Sequence, residues 1–143
     1  MSDYERTISI AATPQKVFGT LMNVTEFGAW WAPADGSARD GGGLRVTFEG
    51  ISQPLVLQVK TAAPVSGLAW HVTACDFLPD WVGTTVHVTI RPTADDGCAV
   101  TFRHEGLTPQ LECYDMCRTG WEQYVPSLRD YIETGTGTPY RPR

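Results

Sequence analysis

Thr85-Val-His-Val-Thr-Ile-Arg91 and Cys98-Ala-Val-Thr-Phe-Arg-His104, joined by Pro92-Thr-Ala-Asp95-Asp-Gly97, decide the fold. Val86, Val88 and Ile90 alternate with Thr85, His87, Thr89 and Arg91, and Val100 and Phe102 alternate in the same way. A period of two marks strands with one face buried, and Asp-Gly between two such runs marks a hairpin. Working backwards, the same period recurs in Leu68, Trp70, Val72 and Ala74, in Leu55, Leu57 and Val59, and in Leu44, Val46 and Phe48. Thr7-Ile-Ser-Ile10 adds one more strand near the start. The pattern predicts six strands in an antiparallel sheet with one wet face.

Forward from His104 the period changes. From about Pro109 to Glu133, Tyr114, Cys117, Trp121, Tyr124, Leu128 and Tyr131 recur every three or four residues, the stripe of a long amphipathic helix. Pro126 lies inside it and is expected to kink it. Between the first two strands, Thr13-Pro14 supplies a cap and a proline suited to a first helical turn. Val17, Phe18 and Leu21 follow at helical spacing, and Asn23-Val-Thr-Glu26 starts a second short helix through Trp31. Ala32 to Gly43, with Pro33, Asp35-Gly36 and three consecutive glycines, reads as loop. These elements make an α+β fold: a six-stranded sheet curved around the C-terminal helix, with two short helices after the first strand.

The 143 residues suit one domain, with a core over about 4–134 and a loose tail at 135–143. A net charge of -5 argues against nucleic acid as partner, because phosphate binding needs a basic face. No apolar run is long enough to enter a bilayer as a spanning helix, and the first residues lack a secretory signal, so a cytoplasmic protein is expected. Cys75, Cys98, Cys113 and Cys117 are then expected as thiols. Cys113 and Cys117 with His104 would give a metal only three ligands and match no known spacing, so no metal is expected. Neither a nucleophile elbow nor a phosphate-binding loop occurs, and no cofactor is implied.

Several pieces in order resemble the SRPBCC (START-like, helix-grip) superfamily, and within it the bacterial proteins similar to the activator of heat-shock-protein ATPase homologue. They are Ile10-x-Ala-x-Pro14-x-x-Val17-Phe18-x-x-Leu21, Trp30-Trp31-x-Pro33, Gly43 with Phe48, Trp70, His104-Glu-Gly-Leu107, Gly120-Trp121 with Leu128, and Glu133-Thr-Gly135. The resemblance implies a sheet that grips the last helix around a mostly apolar cavity for a small hydrophobic molecule, lipids included. It does not imply one reaction, since the superfamily spans lipid transfer, polyketide cyclases, hormone receptors and co-chaperone domains.

Alternation turns His104 inward and leaves His71 and His87 on the wet face. An inward imidazole can anchor a ligand, move a proton, or simply be satisfied by its neighbours. Trp30, Trp31, Phe48, Trp70, Phe77, Trp81, Phe102, Tyr114, Trp121 and Tyr124 fall on inner faces or on loops that rim them. With His104 and Cys117 they form the candidate ligand-binding set, Trp30 and Trp31 standing at the entrance opposite the Phe77–Trp81 loop. The leading expectation is a carrier or sensor of a small hydrophobic ligand. A cyclase or aromatase using His104 with Tyr114 or Tyr124 is one alternative, and a chaperone-cofactor-like or regulatory interaction protein is another. A homodimer is compatible with the exposed sheet edges.

Overall fold

The computed structural model describes residues 3–48, 50–63, 65–112 and 114–140. The chain opens with β1 (Tyr4–Ile10), whose alternation buries Tyr4, Ile8 and Ile10. Thr13 then caps α1 (Pro14–Leu21) by accepting from Lys16 N, and Pro14 takes the first helical position, where no donor is lost. Asn23 caps a single 3-10 turn, Val24–Glu26, which leads directly into α2 (Phe27–Trp30). Then come β2 (Ala34–Gly36), β3 (Gly43–Val46), β4 (Leu55–Ala63), β5 (Gly67–Ala74), a 3-10 turn at Pro79–Trp81, β6 (Thr85–Pro92), β7 (Cys98–Glu105) and α3 (Tyr114–Thr134).

Among the described residues the sheet has seven antiparallel strands in the order β1-β7-β6-β5-β4-β3-β2, not the six read from sequence. The extra strand, β2, lies in the stretch read as loop. It pairs Ala34 with Val46 and Gly36 with Leu44, and Arg45 Nε lies 2.6 Å from Asp35 Oδ1 across that pair. Three residues including Asp and Gly have little strand propensity of their own, so this strand forms only because β3 offers it an edge. Similarly, α3 starts at Tyr114 rather than near Pro109, and it is continuous through Pro126. Cys113 lies outside the described residues.

Register keeps the inner face apolar across the sheet. Val59 pairs with Trp70, Trp70 with Val86, Val88 with Phe102 and Ile8 with Val100. Two register shifts along β4, at Val56/Leu57 and Lys60/Ala63, bend that strand in the way bulges bend any sheet. The concave face meets Cys117, Trp121, Val125 and Leu128 of α3, and the buried side chains make one contiguous cluster. This is the helix-grip arrangement. Its interior is dominated by rings: Trp70 lies 5.8 Å from both Phe27 and Trp31 and 6.3 Å from Trp30. No helix among the described residues is long and apolar enough to cross a membrane.

Candidate functional site

At one end of the grip, between sheet and α3, the rings stop short of filling the space. A half-open cavity of about 380 Å3 lies there. Its walls are aromatic on most sides: Trp31 after α2, Phe48 after β3, Phe77 and Trp81 from the loop after β5, Trp121 and Tyr124 from α3. Ile51, Leu55, Leu78, Met116 and Cys117 complete the apolar lining, and Gly120 leaves a gap in the helix wall. Met116, 63% exposed, stands at the rim. Tyr124 carries a hydroxyl whose pKa is pushed up to about 12, first by burial and then by neighbouring Tyr140, so it remains a neutral phenol.

A hydrogen-bonded chain fixes the inner wall. Trp121 Nε1–H donates to His104 Nδ1 at 3.1 Å, His104 Nε2 lies 2.8 Å from Thr84 Oγ1, and Thr84 Oγ1 donates to Trp81 O at 2.6 Å. Because the Thr84 hydrogen is committed to Trp81 O, Nε2 must carry the imidazole proton, and Nδ1 must be the acceptor. His104 is 1% exposed, and burial holds its pKa down at about 4. Trp81 Nε1–H closes the circuit onto Cys117 Sγ at 2.9 Å, and its ring meets the imidazole edge-on at 4.6 Å. Gly106 lets the strand end approach: its φ is +98°, and a Cβ there would stand 2.7 Å from Thr84 Cγ2. Strand β7, the Trp81–Thr84 turn and α3 are thus clasped together through one neutral histidine.

Of the stretch expected as a loose tail, 135–143, residues up to Tyr140 pack across the same end, and 141–143 lie outside the described residues. Tyr140 N donates to Trp31 O at 2.6 Å, Thr138 N donates to Ser127 Oγ at 2.6 Å, and Gln123 Nε2 donates to Thr138 O and Pro139 O at 3.1 and 3.2 Å. Ser127 Oγ in turn donates to Trp30 O at 2.8 Å, tying the strap to both α2 and α3. Tyr140 reaches the cavity wall and meets Phe48 edge-on at 5.1 Å. The approach depends on Gly137, where a Cβ would stand 2.5 Å from Ala29 O and 2.8 Å from Ser127 Oγ. Gly137→Val is therefore expected to detach the strap and cost about 2 kcal/mol. Faster cleavage of the C-terminal segment in limited proteolysis, with a lower Tm, would check this.

Of the residues singled out from sequence, Trp31, Phe48, Phe77, Trp81, Cys117, Trp121 and Tyr124 are brought together on the cavity wall. Trp30, Trp70 and Phe102 are not: they are buried in the core behind it, and Trp30 is no entrance residue, being fully buried against Phe27 and Trp70. His104 stands behind the wall with both ring nitrogens engaged, and Tyr114 packs against the core at the start of α3. Sequence reasoning missed Ile51, Leu55, Leu78, Met116, Gly120 and Tyr140. Gly120 had a signal, a glycine on the apolar stripe of a long helix, where a side chain would otherwise be expected. On the wet face, His87 Nε2 lies 2.7 Å from Glu105 Oε1, and His71 Nδ1 lies 2.9 Å from Thr85 Oγ1.

A sheet that grips a C-terminal helix and leaves an apolar pocket at one end defines a protein of the SRPBCC class. Residues 11–133 match the family described as Activator of Hsp90 ATPase homolog 1-like protein, and the chain belongs to that family. Among solved structures, the chain is similar to the Aha1 dimer from Colwellia psychrerythraea, at 25% identity and a TM-score of 0.79, over 96% of this chain and 100% of that one. CalU16 from Micromonospora echinospora is similar at 17% identity and a TM-score of 0.70, over 92% of this chain and 76% of that one. DynU16, from the dynemicin biosynthetic locus, is similar at 18% identity and a TM-score of 0.75, over 99% of this chain and 51% of that one. The last two share the fold. No curated protein matches the sequence.

Proposed function

We propose that the protein binds a small hydrophobic molecule in the pocket between sheet and α3, as a carrier or sensor within a single domain. The observation that supports this is the cavity of about 380 Å3, which falls within the usual size of small-molecule sites and is walled mostly by aromatic rings. Burying ~200 Å2 of apolar ligand surface is worth roughly 5 kcal/mol before ordering costs, enough for micromolar binding. Guest entry past Met116 and the Phe77–Leu78 loop requires no rearrangement of the clasped inner wall.

A His104-centred cyclase is not favoured, because the imidazole has neither a spare lone pair nor a place on the wall. Dimerisation, as in the Colwellia protein, is compatible with the pocket reading. The test is titration with the neutral fluorophore N-phenyl-1-naphthylamine, followed by energy transfer from the tryptophans. Saturable binding of one probe per chain supports the reading, and the absence of saturable binding overturns it.

A further inference from the structure

Taking the pocket as a ligand site, which this step rests on, we infer that it sorts guests by charge: uncharged or cationic aromatic molecules enter, and carboxylates of the same shape are refused. Among the described residues no Lys, Arg, His, Asp or Glu lines the wall. A buried carboxylate needs a cation or several hydrogen-bond donors to offset its lost hydration. The indole N–H groups of Trp81 and Trp121 are spent on Cys117 and His104. Arg118, next to Cys117 in sequence, is held by Glu122 at 3.3 Å and lies 4.0 Å from Asp115. The phenol of Tyr124 is one neutral donor: it is enough for a carbonyl, ether or hydroxyl, but alone it falls short of offsetting the lost hydration of a carboxylate.

The rings add a bias of their own. An aromatic face is negative at its centre, so a wall made largely of Trp, Phe and Tyr favours cations over carboxylates. The exposed carboxylates of Asp76, Asp80 and Asp115 adjoin in sequence the lining residues Phe77, Trp81 and Met116. The net charge of -5 acts in the same direction at longer range. The volume suits a guest of roughly two or three fused rings.

Three probes of one shape test the inference: 2-naphthalenemethanol, N-methylquinolinium and 2-naphthoate. Each would be titrated at neutral pH and constant ionic strength in competition with N-phenyl-1-naphthylamine. The expected result is that the naphthoate binds at least about tenfold more weakly than either of the others. Asp76→Asn with Asp80→Asn, both exposed, is expected to strengthen naphthoate binding by about twofold while leaving 2-naphthalenemethanol unchanged. Naphthoate binding as tightly as the alcohol would overturn the charge rule and leave the pocket reading standing. Failure of all three, and of the fluorophore, would overturn the pocket reading and the charge rule together.

Discussion

Replacing His104 with alanine is expected to lower the unfolding free energy by about 3 kcal/mol, with a fall in Tm of roughly 10 °C. The loss combines a cavity behind the pocket wall with the Trp121 indole N–H left without its acceptor and the Thr84 oxygen left without the donor it accepts from, its own bond to Trp81 O remaining. Urea denaturation with matched slopes would check it. The same histidine carries a pH signature. Its folded pKa of about 4 lies below the ordinary value of 6.5, so the unfolded chain takes up the proton more readily than the folded one. The stabilisation is fully present above about 6.5 and is lost as pH falls towards 4, by about 3 kcal/mol at most. His104→Gln, which cannot titrate, should show a flatter stability profile between pH 7 and 4. An unchanged slope would mean that the imidazole is not held neutral by burial.

Gly120→Leu is expected to abolish binding while keeping the fold. Gly120 faces the cavity, and a Cβ there would lie 3.5 Å from Tyr124 Cε2, an ordinary contact. The rest of a leucine side chain would then occupy space that the guest needs. Leucine is also the better helix former, by up to about 1 kcal/mol, so α3 should gain rather than lose. Probe affinity should fall more than about tenfold with Tm unchanged or raised. The combination separates a filled pocket from a damaged protein, which would lose both.

The strands and the long helix were legible because burial on one face imposes its period directly on the sequence. Val86, Val88 and Ile90 are all buried, while exposed Thr89 and half-buried Thr85 and His87 lie on the other phase. Strand β2 was not legible, since Ala34-Asp-Gly36 carries no period and is held by pairing with β3. The pocket was legible in part for a related reason. Alternation says that Trp70, Phe102 and His104 point inward, but not what covers them once there. Trp70 and Phe102 sit in mid-sheet under Trp30, Phe27 and Trp121, whereas Phe48, Phe77 and Trp81 stand at the end where coverage runs out. Tyr140 had no signal at all, because its place depends on contacts of the strap with Ser127 on α3 and with Trp31, far away in sequence.

The most direct measurement is the crystal structure of the protein grown with N-phenyl-1-naphthylamine. A binding pocket at the end of the grip predicts density for the probe enclosed by Trp31, Trp81 and Trp121, with Gly120 in contact and the His104–Thr84 bond intact. Density only on the outer face of the sheet, or none in a protein saturated with probe, would contradict it.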